Sequence, residues 1–325
     1  MVVLEVIFKS VGQGDCIVIE WNDDVNRVGI VDCHAEGSRN PAIDHVKSIG
    51  CDAIEFVVLS HPHSDHYSGL PDLLEYCRQH SIVVKRFLHT ASFCIGHIQT
   101  VVAGTNSRRL IVKLLLQVEK LHEDGVIREK GTVTDTTGSI ELGDGISLEF
   151  LAPSDQEISK YQKSAFREEL QLKSKPDANW LSTLIRIDGG EWYALLTGDV
   201  YEETLRRVGI EVIRREVKQR DRPWRLVAGQ VPHHGSAKSH YREFWKTKQY
   251  EPKTPLGLSV GLNNKHDHPA DGVVEELKDL EYDVRSTAEV SSYSGLAKKA
   301  RRLLGNAQAT TTGSGSVTND VVISL

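Results

Sequence analysis

Residues 59–70 read LSHPHSDHYSGL, and His61, His63, Asp65 and His66 fall within six positions of one another. Neutral imidazole is the commonest metal ligand, and carboxylate is its usual companion for a hard or borderline cation. Crowding imidazoles is unfavourable unless a cation holds them together. Four donors in so short a run can supply two neighbouring ions. The preceding IEFVVLS (54–60) is short, β-branched and aromatic, the pattern of a buried strand. The donors therefore start where a strand ends. The Ser-Gly pair and LPDLLEYCRQH that follow predict a turn into an amphipathic helix.

A centre built from one loop would be incomplete, and other apolar runs end on similar residues. IVDC ends near Asp32, and YALLTGD ends on Asp199, after the small Gly198. LVAGQVPHHGS ends on His233 and His234, followed by Gly235, Ser236 and Lys238. LSVGLNNKHDHP ends on Asn263, Asn264, His266 and His268. A single Asp after a strand is ordinarily a turn former. Its repetition with histidines at separate strand ends points to loops converging on one edge of stacked sheets.

The elements that must position these residues are legible as runs. VVLEVIFKSV, DCIVIEW and RVGIVDC predict an antiparallel meander, followed by a helix at PAIDHVKSIG. VVKRFLHT predicts another strand, and residues 107–124 a helix with Leu, Ile and Val at three- and four-residue spacing. ISLEFLAP, LSTLIRID, WYALLTGDV, RLVAGQV, PLGLSVGL and VTNDVVISL predict further strands, with helices at YEETLRRVG and GVVEELKDLEY. The charged stretch 155–177 is expected to be a mobile insertion, and 306–317 a flexible one. The fold class expected is α/β: two stacked mixed sheets with helices outside, in a single domain over 1–325. Insertions are expected near 95–135 and 155–178.

Composition agrees with a packed core, at 39% hydrophobic and 26% charged residues over 325 positions. Five cysteines without a CxxC pair argue against a disulfide framework or a zinc ribbon. The first residues lack a basic leader with an apolar segment, and no run approaches a membrane span, so a soluble cytoplasmic protein without membrane contact is expected. The formal net charge of −6 does not advertise nucleic acid. Residues 206–225 (RRVGIEVIRREVKQRDRPWR) and 298–302 (KKARR) are locally basic, however. Such runs are ordinarily solvated helix faces; the alternative is a rim that guides a polyanion. Trp224, inside the first run, is either a packing anchor or a base-stacking platform.

The order Asp32, H-x-H-x-D-H, Asp199 and His234 resembles the metallo-β-lactamase fold superfamily, over essentially the whole chain. VGQGDCIVIEW, LLTGDV, PHHGSAKSH and SVGLNNKHDHP look like the metallo-β-lactamase-like domain of ComEC-type DNA-uptake channels and its stand-alone soluble relatives. The resemblance implies an αββα sandwich with a centre of two divalent ions, zinc or manganese, at one edge of its sheets. It implies His61 and His63 on the first ion, Asp65 and His66 on the second, and Asp199 bridging. His234 would complete the second set, with His233 the less favoured neighbour and Asp32 orienting a ligating histidine. The chain departs from the superfamily before the bridging Asp, where Asn179 stands near the position of a histidine ligand; Asn179 and Ser182 suit the ComEC-like group. An amide oxygen is the weaker ligand for a transition metal, so a loose first site or a harder ion is expected.

Two ions about 3.5–4 Å apart stabilise a shared hydroxide and polarise an electrophile, which is the chemistry of hydrolysis. Asp65, His234 and His268 are the residues expected to take part in it. Ser236 and Lys238 offer a hydroxyl, an ammonium and backbone N–H groups to an anion, with His233, Asn179 and Asn264 as further polar neighbours. These features favour a phosphodiester in DNA or RNA, hence a nuclease. The alternatives are hydrolysis of a small ester, lactone, thioester or nucleotide, and a non-catalytic subunit that binds a protein partner.

Overall fold

Two-residue alternation makes each strand of the first meander two-faced. On β2 (Cys16–Asn22), Ile17, Ile19 and Trp21 join one core while Cys16 and Val18 join another. On β1 (Val3–Phe8), Val6 and Phe8 face the first core and Ile7 the second. Such a sheet must be covered on both faces. The computed structural model describes all residues except 1–2, 23–25, 98–104, 144, 171–175, 219–223, 249, 262–263, 265 and 289–319. The stretches 298–302 and 306–317 therefore lie outside the described residues.

The remaining strands of the first sheet are β3 (Asn26–Cys33), β4 (Ala53–Ile54), β5 (Phe56–Leu59), β6 (Val83–His89) and β7 (Ile127–Thr132). The second sheet contains β8 (Ile140–Gly143), β9 (Ile146–Ala152), β10 (Leu184–Asp188), β11 (Trp192–Leu196), β12 (Arg225–Gln230), β13 (Pro255–Leu258) and β14 (Asp283–Ser286). A last strand, β15 (Val321–Ser324), returns to the first sheet beside β1. The orders are β15-β1-β2-β3-β5-β6-β4, with β7 also on β6, and β14-β13-β12-β11-β10-β9-β8.

Each sheet passes from antiparallel to parallel pairing at its centre. β1, β2 and β3 are antiparallel, whereas β3, β5 and β6 run parallel. β9, β10 and β11 are antiparallel, whereas β11, β12 and β13 run parallel. Parallel neighbours end at the same edge. Asp32, near the end of β3, thus lies beside Ser60 and His61 after β5, and Asp199 after β11 lies beside His233 and His234 after β12.

The helices are α1 (Pro41–Ile49), α2 (Ser64–Tyr67), α3 (Leu70–Gln79), α4 (Thr105–Glu123), α5 (Asp155–Glu169), α6 (Glu202–Lys218), α7 (Arg242–Lys246) and α8 (Val273–Asp279). Residues of α1, α3 and α4 pack on the outer face of the first sheet, and residues of α6, α7 and α8 on that of the second. Between the sheets, Phe8, Trp21 and Phe56 meet Phe150, Ile185 and Leu196. The result is two mixed sheets between helical layers, an αββα sandwich. No helix among the described residues is long and apolar enough to cross a membrane.

The stretch expected to be a mobile insertion forms α5 over Asp155–Glu169. Ser154 and Glu157 make a capping box, and Ile158, Tyr161 and Ala165 bury a narrow stripe against Ala178, Leu181 and Cys94. The three buried positions are scattered through a helix of 15 residues that is otherwise mostly polar, which hides the stripe from a reading of composition. Trp224 is a packing anchor: it is buried, its ring lies 4.7 Å from that of Tyr193, and Arg186 covers it at 4.2 Å.

The spacing of the sheets depends on glycine at one close approach. A Cβ on Gly257 would stand 2.3 Å from the Phe8 ring, which comes from the opposite sheet. Gly257→Ala is therefore expected to lower stability by about 1–3 kcal/mol, the usual result of overpacking. A urea melt checks this, and an unchanged midpoint would mean that the Phe8 ring moves aside freely.

Candidate metal centre

Asp32 organises the first half of the site. It sits in the left-handed region (φ 57°), which turns its carboxylate back across the end of β5. Its Oδ1 accepts the Ser60 N–H at 2.7 Å, and its Oδ2 accepts the Ser60 hydroxyl at 2.6 Å. The same Oδ2 lies 2.7 Å from His66 Nδ1. Ser60 Oγ in turn lies 3.0 Å from His61 Nδ1. Both histidines are thus held through Nδ1, which leaves Nε2 of each facing inward.

The second half is built the same way. Ser182 Oγ accepts the Asp199 N–H at 2.8 Å. Gly198 (φ 48°) allows that approach, since a Cβ there would stand 2.6 Å from the same Oγ. His234 Nδ1 is 2.8 Å from the Ser259 carbonyl oxygen, and His233 Nδ1 is 3.1 Å from Ser239 Oγ. Gln230 ties the halves together: its Nε2 donates to Asp15 Oδ2 at 2.8 Å, and its Oε1 accepts the N–H groups of Thr197 and Gly198, each at 2.9 Å.

Four imidazoles anchored at Nδ1 direct Nε2 towards one carboxylate. Asp199 Oδ2 lies 3.4 Å from His233 Nε2, 3.5 Å from His66 Nε2 and 3.9 Å from His61 Nε2, and Oδ1 lies 3.8 Å from His234 Nε2. His63 enters through its other nitrogen, with Nδ1 2.9 Å from His61 Nε2. Two donor groups result: Asp15, His66, Asp199 and His234, all buried, and His61, His63 and Asp199. His66 Nε2, His234 Nε2, Asp199 Oδ1 and Asp15 Oδ1 are buried without a hydrogen-bond partner. Leaving such groups unpaired is costly, and a divalent cation between them satisfies all four. The donor set of imidazole nitrogens and carboxylate oxygens fits zinc or manganese, and the residues present fit the group.

The part of the chain that carries Asp15, Asp32 and the H-x-H-x-D-H run, residues 10–147, matches the family model described as the metallo-beta-lactamase superfamily; Asp199, His233 and His234 lie outside the match. The two mixed sheets between helical layers are consistent with the αββα sandwich of that superfamily, and the match itself covers less than half of the chain. Three solved structures are similar to this chain. The metallo-beta-lactamase fold protein YhfI from Bacillus subtilis is 10% identical with a TM-score of 0.45, covering 90% of this chain and 98% of that one. A diphosphatase from the PhnP family is 12% identical with a TM-score of 0.43, covering 87% and 94%. Tm1679, a metal-dependent hydrolase of the beta-lactamase superfamily, is 13% identical with a TM-score of 0.42, covering 90% and 100%. No curated protein matches the chain.

Within this αββα sandwich, several residues named from sequence lie at the centre and others around it. Asp65 is outside the four-donor group, with Oδ2 3.9 Å from His234 Nε2. Asn179 is buried on the short helical turn Ala178–Leu181, its Oδ1 without a hydrogen-bond partner. Ser236 is buried and Lys238 exposed. Asn264 serves its own loop, accepting the His266 and His268 N–H groups and donating to the Gly261 and His268 carbonyls. The His268 ring lies 5.6 Å from that of His233. Asn263 lies outside the described residues. Sequence reasoning missed Asp15 and Gln230. The signal for Asp15 was the Gly-Gln-Gly turn before it: a Cβ on Gly14 would stand 2.6 Å from the Asp65 carbonyl, and Asp15 N–H bonds that carbonyl at 3.0 Å.

Charge divides the histidines into two kinds. Burial, reinforced by neighbouring imidazoles, pushes His61 well below the ordinary histidine range. Burial also opposes charge on His66, but Asp199 and Asp32 override it and raise its pKa well above the ordinary value. His234 is likewise raised, by Asp199, Asp15 and Asp65 against burial. Asp199 is held well below the carboxylate range by His233, His66 and His234, although burial works the other way.

The cation-free centre therefore retains protons on His66 and His234 that a metal must displace. Uptake is expected to release about one to two protons near neutral pH. Affinity then rises with pH, because below the raised pKa values protons compete for the same nitrogens. Calorimetric titration with zinc in buffers of different ionisation heat measures the release. Equal heats in all buffers would show that these nitrogens are not the ligands.

Proposed function

We propose that this protein is a metal-dependent hydrolase whose substrate is a phosphodiester, most readily the backbone of a nucleic acid. The observation that carries the hydrolase reading is the convergence of four Nδ1-anchored imidazoles on the buried Asp199. When bound, a pair of divalent cations lowers the pKa of water and polarises the electrophile. The chain's own groups then position and move protons. Asp32, Ser60 and the Ser259 carbonyl accept from Nδ1 of His66, His61 and His234 and so favour tautomers whose inward nitrogens carry lone pairs, while Ser239 orients the His233 ring. Asp65 is held in its anionic form, since His66 and His234 outweigh its burial, and its side chain is 34% exposed. It is the base that touches both the centre and solvent. His268 is pushed down to about 4 by burial and by its histidine neighbours, and is neutral at physiological pH. In that state it can share a hydrogen bond with a departing oxygen.

The phosphodiester assignment is supported by Ser236 and Lys238 directly after His234, and by the likeness of GQGD, TGD and HHGS to the ComEC-type group. A cytoplasmic site of action belongs to the same proposal. A small ester, lactone, thioester or nucleotide is the second reading, favoured by what the basic run does in the structure. Arg206 pairs with Glu202 and covers Tyr241, Arg207 pairs with Glu157 and Asp135, and Arg225 pairs with Glu251. Polyanion guidance therefore falls to Lys238 and to Arg214, Arg215 and Lys218, whose side chains lie outside the described residues.

Neutralising Arg214, Arg215 and Lys218 to glutamine separates the two readings. Nucleic-acid binding is expected to weaken, with the log–log salt slope falling by roughly 0.7–0.9 for each lost phosphate contact. Hydrolysis of a nitrophenyl phosphodiester is expected to be unchanged. Unaltered binding and cleavage of single- and double-stranded DNA and RNA would remove the guiding rim and leave the small-substrate reading ahead.

A further inference from the structure

The adjacent histidines at 233 and 234 do not act as a unit. His233 (φ 49°), His234 (φ 54°) and Gly235 (φ 80°) are three consecutive residues in the left-handed region. Non-glycine residues adopt that region only when their surroundings hold them there. Here the His233 N–H donates to the Gly198 carbonyl at 2.9 Å, the Ser236 N–H closes on the His233 carbonyl at 2.9 Å, and the Ala270 N–H holds the Gly235 carbonyl at 2.9 Å. The consequence is a fork. The two rings lie 6.1 Å apart at 70° to each other.

Each ring is then aimed separately. His234, anchored on the Ser259 carbonyl, presents Nε2 to Asp199 Oδ1 and belongs with Asp15 and His66. His233, anchored on Ser239, presents Nε2 to Asp199 Oδ2 at 3.4 Å. His61 Nε2 faces that same oxygen at 3.9 Å, with His63 Nδ1 beside it. The His61–His63 group holds one imidazole fewer than a three-histidine site needs. Asn179, the residue expected there, offers an amide oxygen that is buried without a hydrogen-bond partner, while Tyr201 donates to Asp177.

We propose that His233 supplies the third imidazole of the His61–His63 cation site, so that the His233–His234 pair gives one donor to each of two cations sharing Asp199. The assignment rests on the metal-centre reading above. It makes Asn179 a neighbour of the first cation rather than its ligand, and it gives the left-handed turn a purpose.

The test uses cobalt(II) as the probe on the full chain, with visible absorption recorded during titration and metal content measured after dialysis. His233→Asn is the informative variant, because asparagine tolerates the left-handed backbone and keeps the turn. The unsubstituted protein is expected to bind two equivalents. In His233→Asn one equivalent weakens by at least about 10-fold, with loss of its absorption band, while the other is retained. His234→Asn is expected to weaken the other equivalent, and Asn179→Ala to leave both in place. Thermal melts of the metal-free proteins confirm that the variants fold. Unchanged stoichiometry and spectrum in His233→Asn overturn the assignment, as does loss of an equivalent in Asn179→Ala. Reduced turnover in His233→Asn with intact cobalt binding also overturns it, making His233 a substrate contact. Failure of the unsubstituted protein to bind cobalt, zinc or manganese would instead overturn the metal-centre reading itself.

Discussion

Asp199→Ala is expected to leave a folded protein that retains no tightly bound metal and has lost hydrolysis by well over about 100-fold. That figure is the upper end of what removing a mere outer partner of a ligand costs, and Asp199 is more central than any such partner. Among the described residues, its carboxylate stands within 4 Å of His61, His66, His233 and His234 alike. Without its charge, four inward-facing nitrogens confront one another in a buried space, and a bound cation loses the anion shared by both donor groups. Asp199→Asn separates charge from shape, because it keeps the volume and one oxygen. If the carboxylate's charge is what matters, both variants fail alike in metal content and in kcat/KM. Full turnover by either one, with its fold verified by a melt, would rule out the centre described here.

The largest effect on stability is expected from Asp32→Ala. Asp32 and His66 form a fully buried pair at 2.7 Å, and the same carboxylate holds both the N–H and the hydroxyl of Ser60. Burial lifts the Asp32 carboxyl and pairing lifts His66, so a proton is retained between them. Breaking such a pair from one side leaves the partner buried and uncompensated, at a cost of about 3–5 kcal/mol. The loss should appear in urea unfolding of the metal-free protein. Asp32→Asn, which preserves an acceptor for Ser60, should lose less. Metal affinity should fall by about 10–100-fold in the alanine variant, since the His66 ring is no longer oriented. A stability change below about 1 kcal/mol would mean that the pair contributes little beyond what water provides to its members.

Much of this was readable before any coordinates, for identifiable reasons. The apolar runs VVLEVIFKSV, DCIVIEW and RVGIVDC are local signals, and the antiparallel meander they predict is present as β1, β2 and β3. The H-x-H-x-D-H run is legible because no packing requirement would place so many imidazoles side by side. Asp15 was not legible, because its role depends on a register. The β2–β3 ladder is irregular between Cys16 and Ile17, and Cys16 sits opposite Cys33, which brings Asp15 to the edge that Asp32 occupies. Gln230 looks like any polar residue closing a strand until Asp15 and the Gly198 backbone are seen around it. The fork at His233 and His234 could not be anticipated, since the left-handed backbone that creates it is atypical of histidine. The helix at Asp155–Glu169 was hidden by its own charged surface.

The attachment of β15 has a bearing on how the protein comes into being. Asp320, just before that strand, accepts hydrogen bonds from Lys9 Nζ at 3.0 Å and from the Ser10 N–H at 2.9 Å, across 311 and 310 positions. These two residues open the loop that carries Asp15. The loop is thus fastened by a residue very distant from it in sequence, and contacts of such separation form slowly when a chain folds from an unfolded state. The donor loop is therefore expected to gain this support late in folding, after the local strand pairs have formed.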